Sequence, residues 1–171
     1  MPPLNATADF RKAYSTPLVI EVDGKQQIIS TGADHIYAYD PAEGRELWKL
    51  DCEGFYNVPR PVFGGGLLYF CTGYMKPQLW AIRPGVAKDE PSDKSGSANL
   101  TQTHVVWKAT KQIPANARTV GIASPKAPCI DQGILSCLDA RSGEEVWKHR
   151  IKGAYSASPI LADGKIYICS E

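Results

Sequence analysis

Long apolar runs, blocks of like charge and clustered metal ligands are all missing from this 171-residue sequence. No stretch approaches the ~20 apolar residues of a membrane-spanning helix. Lys and Arg number 19 and Asp and Glu 18, for a net charge of +1. They are dispersed along the chain, which argues against a nucleic-acid or anionic-membrane partner. The five cysteines, Cys52, Cys71, Cys129, Cys137 and Cys169, form no C-x-x-C, and their spacing fits no zinc motif. Cys71, Cys137 and Cys169 lie in apolar, strand-like runs and are expected to be buried. His35, His104 and His149 are far apart, and G-x-S-x-G, H-E-x-x-H and P-loop motifs are absent. The start, "MPPLNATADFRKAY", lacks the basic-then-apolar order of a secretory signal.

What is present is repetition, the first feature to seek in any sequence. "DPAEGRELWK" begins at Asp40 and "DARSGEEVWK" at Asp139, 99 residues later. Each has a Gly four residues after the Asp (Gly44, Gly143) and a Trp four after that (Trp48, Trp147). Trp107 belongs to the same series, 40 residues before Trp147 and 59 after Trp48. The longer gap contains "GVAKDEPSDKSGSANLTQTH", a polar stretch without periodicity. It reads as a loop insertion over 85–103.

A second series begins each unit: Tyr14, Tyr56 and Tyr155 each lead into a Pro, an apolar run, a Gly turn and another apolar run. Pro suits a strand's first residue. "VDGK", "GGG" and "ADGK" supply the positive φ of a tight hairpin. "HIYAYD", "QLWAIR" and "ILSCLD" are third strands, and "RELWKL", "HVVWKA" and "EEVWKH" are fourth strands carrying the Trp. Asp40 and Asp139 are positioned to cap turns in which glycine takes φ > 0.

Each unit of about 40 residues is therefore expected to be four short antiparallel strands, across 14–52, 56–83 with 104–110, and 131–151, with 85–103 outside the sheet and with Trp48 and Trp147 largely buried in equivalent positions. Such a meander has two partly apolar faces, and it buries them by stacking on copies of itself around an axis. The expected fold is all-β: a β-propeller of four-stranded antiparallel blades, incomplete at about three and a half blades. Residues 1–13 are a leader or the end of a preceding element. The blades fall at about 14–52, 56–110, 117–151 and, as a partial blade, 155–171. The chain is expected to be an interior piece of a longer protein.

The third unit breaks the pattern. "ARTVGIASPKAPCI", residues 117–130, keeps the length of a blade but lacks alternation. Pro125 and Pro128 would interrupt ladder hydrogen bonds. Either this blade is irregular, or those codons are read out of frame.

"YAYDPAEGRELWKL" and "SCLDARSGEEVWKHRI" resemble the pyrroloquinoline-quinone (PQQ) type propeller repeat, A-x-D-x-x-T-G-x-x-x-W. Glu43 and Ser142 stand where that repeat has Thr, and Cys137 where it has Ala. "SPILADGKIYICS" is similar to its first two strands. WD-type units would show Gly-His and Trp-Asp, and neither occurs. The family includes quinoprotein dehydrogenases and non-catalytic relatives such as BamB-like proteins of outer-membrane assembly, mostly periplasmic. The resemblance thus implies an exported parent. A dehydrogenase of this family would carry an adjacent Cys-Cys pair and a Glu/Asn/Asp set for calcium. No Cys-Cys is present, and Asp34, Asp40, Asp139 and Asp163 read as turn caps.

The chain is therefore expected to be a non-catalytic scaffold or binding module for a protein or small ligand, with no cofactor and no catalytic or metal-ligating residues. The alternative is a fragment of a dehydrogenase using PQQ with calcium, its catalytic residues outside this chain. Arg60, held between two prolines in "NVPRP", is the candidate contact at the central face. Asp40, Gly44, Trp48, Trp107, Asp139, Gly143 and Trp147 form the structural repeat.

Overall fold

The computed structural model describes residues 12–54, 56–73, 77–85, 97–110, 126–131, 133–155 and 159–171. Every regular element among them is a strand. The first sheet contains β1 (Leu18–Val22), β2 (Lys25–Thr31), β3 (His35–Tyr39) and β4 (Glu46–Asp51), paired antiparallel in sequence order. The second contains β5 (Val62–Gly64), β6 (Leu67–Cys71), β7 (Leu79–Ile82) and, beyond the two-residue β8 (Ala98–Asn99), β9 (Val105–Ala109). The third comprises β10 (Lys126–Asp131), β11 (Ile134–Asp139) and β12 (Glu145–Arg150). A hairpin of β13 (Ile160–Ala162) and β14 (Lys165–Tyr167) completes the set. The fold is an all-β, incomplete propeller, as the repeat implies.

Alternation explains why the sheets stack. Gln27, Ile29, Ile36, Ala38, Trp48 and Leu50 of the first sheet are buried. The apolar ones pack in one cluster with Leu68, Phe70, Trp80 and Ile82 of the second. The opposite face of the second sheet places Leu67, Tyr69, Cys71 and Trp107 against Leu138 and Ala140 of the third. This sheet is covered on both sides, so "LLYFC" is apolar throughout instead of alternating.

The three tryptophans occupy equivalent positions. Trp48 lies opposite Ala38, Trp107 opposite Ala81 and Trp147 opposite Cys137. In all three sheets the register slips by one residue immediately after that pair. A small residue across the ladder leaves room for the indole.

The turns repeat as closely. Asp40 Oδ1 accepts from the amides of Ala42 (2.8 Å) and Glu43 (3.1 Å). Asp139 Oδ1 accepts from Arg141 (2.9 Å) and Ser142 (2.8 Å). These amides, Glu43 foremost at one turn and Ser142 at the other, hold both carboxyls below the usual aspartate range. A carboxyl depressed in the folded state contributes stability above the ordinary aspartate pKa, about 3.9. That stability is lost as pH falls through the lower folded value. The melting temperature should therefore drop in this acid range. The double variant Asp40→Asn, Asp139→Asn, scanned from neutral to acid pH, should show a shallower drop.

Four expectations need correction. Trp147 is 39% exposed rather than buried, because among the described residues only the two-stranded hairpin comes after its sheet. Cys169 is exposed, lying past the end of β14, although Cys71 and Cys137 are buried as expected. The insertion is not wholly outside the sheets: β8 pairs parallel with β4, making a fifth strand. Ala98 and Leu100 enter the first core, while Asn99 Nδ2 donates to Asp51 Oδ2 at 3.0 Å. The insertion thereby covers an edge that would otherwise present unpaired backbone groups. Last, 131–151 does not hold four strands. Three strands run from Lys126 to Arg150, and Pro128 sits opposite Cys137 in β10. Proline is accommodated there because β10 is an edge strand among the described residues. Residues 111–125, with Pro125, lie outside the described residues.

Candidate binding groove at the inner strand edges

Among the described residues the first strands β1, β5 and β13 each pair with one neighbour. A groove of about 590 Å³ runs beside them. Its walls are Leu18–Glu21 on one side and Arg60–Phe63 on the other, with Pro159 closing it. The lining is apolar apart from two charged groups of opposite sign, Glu21 and Arg60. Neither has an ion-pair partner among the described residues. Apolar walls with few polar groups are the usual make-up of a binding site.

Arg60 is exposed and lines the groove, and the segment carrying it is fixed on several sides. Ser15 Oγ donates to the Pro59 carbonyl at 2.8 Å. Tyr14 and Tyr56, the opening residues of two repeats, stack with centroids 5.9 Å apart. The Tyr14 amide donates to the Asn57 carbonyl and the Tyr56 amide to the Lys12 carbonyl. Asn57, fully buried, donates from Nδ2 to the Gly32 carbonyl at 2.7 Å and accepts the Gly73 amide at Oδ1 at 2.5 Å. Asn57 is thus the clamp between the first two sheets, and sequence reasoning missed it. Flanking prolines and this clamp hold the Arg60 backbone in place, so only its side chain has to be ordered on binding.

The remaining repeat residues are structural. Trp48 Nε1 donates to Gln27 Oε1 at 2.9 Å inside the first core. Trp107 Nε1 donates across the sheet junction to the Ala140 carbonyl at 3.0 Å, and Tyr69 Oη reaches the same oxygen at 2.9 Å. Gly143, at φ +74°, lies beneath the Trp107 ring; a Cβ there would be 2.6 Å from it. Gly44 takes the same conformation, φ +68°, with open space above it.

A second cleft, also about 590 Å³, lies between the first two sheets where β3 begins and β4 and β9 end. His35 Nε2 is 3.3 Å from Asp51 Oδ1, and Lys108 Nζ sits 3.6 Å from the centroid of Trp80. Asp34 takes φ 63° in its turn, but its carboxylate accepts the Gly54 amide at 3.3 Å, a bond to the chain leaving β4 and not to its own turn. Burial pushes the Cys52 thiol up to about 12, helped by the Asp34 and Asp51 carboxylates and opposed by Lys108. A thiol held in that form is a poor nucleophile.

Among the described residues no three His, Cys, Asp or Glu side chains are grouped to hold a metal ion. Among the same residues no helix is long and apolar enough to cross a membrane.

No protein-family profile matches the sequence. No curated protein matches it either. Among solved structures it is similar to BamB from Moraxella catarrhalis, at 15% identity and a TM-score of 0.59. The likeness covers 92% of this chain and 45% of that one, so this chain spans less than half of the BamB length. At that identity the likeness establishes the fold, a β-propeller present in part.

Proposed function

We propose that this chain is a non-catalytic segment of a PQQ-like propeller that binds a protein partner along the inner groove, in an exported, periplasmic parent. The observation carrying this reading is the groove itself. Its walls include strands with an edge unpaired among the described residues, and an exposed arginine on a fixed backbone stands at its rim. Free strand edges recruit extended polypeptide through main-chain hydrogen bonds, and wall pockets select alternate side chains. Arg60 supplies a fork of donors for a carboxylate, and Glu21 faces the complementary need. The fitting ligand is an extended, alternating apolar segment carrying an acidic residue.

Titration of such a peptide into the isotope-labelled chain tests this reading. Resonance shifts should concentrate at Leu18–Glu21 and Arg60–Phe63. Arg60→Ala should weaken binding by about 1.5–3 kcal/mol, the worth of a hydrogen bond to a charged group. Shifts elsewhere, or unchanged affinity in Arg60→Ala, would count against the groove.

A further inference from the structure

We infer that the second cleft, between the first two sheets, binds a small zwitterion of the α-amino-acid class, its ammonium against the first sheet and its carboxylate against the second. The inference goes beyond the groove reading and does not depend on it. The cleft lies where the chain leaves the last strand of each sheet, and it shares no residue with the groove.

The two walls carry opposite charge. Asp34, Asp51 and Glu53 come from the first sheet and the chain leaving it. Asp51 is held from two sides, by His35 Nε2 at Oδ1 (3.3 Å) and by Asn99 Nδ2 at Oδ2 (3.0 Å). The Asp34 carbonyl accepts the Cys52 amide at 2.8 Å, and its carboxylate accepts the Gly54 amide, so this turn is tied to the end of β4. Glu53 has no ion pair among the described residues. The facing wall offers donors. Gln78 Oε1 accepts Trp80 Nε1 at 3.0 Å, which leaves the Gln78 amide nitrogen to donate. Beside it stands the Lys108 ammonium.

Opposite charges that share a cleft attract and close on each other when they can. These do not. Lys108 has no ion pair among the described residues; its Nζ rests on the Trp80 ring, 3.6 Å from the centroid. That perch is fixed, because Trp80 is buried and stacks on Phe70 at 5.6 Å. Burial first, then Asp34 and Asp51, push the Cys52 thiol up, and Lys108 pulls it down, so one point between the walls senses both signs. Charges held apart in this way fit a ligand that carries both. A simple cation leaves Lys108 unanswered, and a simple anion meets the carboxylates. The acidic groups outnumber the lysine, so an amino acid with a second cation, such as lysine, matches best.

Titration of L-lysine into the isotope-labelled chain tests this, with 1,5-diaminopentane (lysine without its carboxylate) and acetate as half-ligands. Lysine should give saturable shifts at Asp34, Cys52, Glu53 and Gln78. Resonances of Leu18–Glu21 and Arg60–Phe63 should stay in place, which separates this site from the groove. Lysine should bind about tenfold or more tighter than either half-ligand, as for one hydrogen bond to a charged group. Lys108→Met keeps the stem on Trp80 and removes the charge; lysine should then bind no better than the diamine. Glu53→Gln should weaken lysine and diamine together. Both side chains are exposed, and an unchanged melting temperature verifies each fold. Lys108→Gln replaces Lys108→Met should the latter fold poorly. Diamine or acetate binding as tightly as lysine, lysine affinity indifferent to loss of the Lys108 charge, or no saturable shift at millimolar lysine would overturn the inference.

Discussion

Replacing Trp48 by alanine should lower the unfolding free energy by about 3–5 kcal/mol, the range for removing a large aromatic from a packed core. Trp48 is fully buried, and its indole N–H satisfies Gln27, which is itself buried. Alanine would leave both a cavity and an orphaned amide oxygen, and each adds to the loss. Trp147 occupies the equivalent ladder position but lacks a full neighbouring sheet among the described residues. Its replacement should cost less than about 1 kcal/mol, as for a surface change. Urea melts of both variants supply the comparison. Equal losses would mean that Trp147 is covered in the isolated chain.

The second large effect separates two glycines that look alike in sequence. Gly143→Ala should lose about 2–5 kcal/mol. A left-handed backbone costs a non-glycine residue about 1–2 kcal/mol, and overpacking adds about 1–3 kcal/mol. The overlap is with the Trp107 ring, 2.6 Å from the added Cβ and held by its bond to Ala140. Gly44→Ala bears the backbone cost alone, because nothing lies within 4 Å. Thermal melts should thus rank Gly143→Ala well below Gly44→Ala. The same ranking measures how tightly the second and third sheets are docked.

Much of this architecture is legible in the sequence because its signals are local. An Asp that caps its own turn, a Gly four residues on and a Trp on the outgoing strand are fixed by contacts within ten residues. The hairpin glycines are equally local, so strand order and tryptophan equivalence emerge from reading the repeat. Asn57 left no such trace: its partners, Gly32 and Gly73, lie 25 and 16 residues away. The strand Ala98–Asn99 is only two residues long and exists through its parallel pairing with β4. The exposure of Trp147 is set by the next sheet along the stack, while its own motif is intact. Arg60 was legible as a rigid, proline-flanked cation, but the opposing wall containing Glu21 required the packing of two sheets.

The central point is that the sheets stack face to face, with Trp107 of the second sheet on Gly143, the turn glycine of the third. Proton chemical shifts of the glycine Hα atoms test this most directly. Gly143 Hα should be displaced strongly upfield by the Trp107 ring current and show cross-peaks to that indole. Gly44 Hα, with nothing within 4 Å of its Cβ position, should lie near its ordinary position. Ordinary shifts at both glycines, with no contact between Gly143 and Trp107, would contradict the stacked propeller.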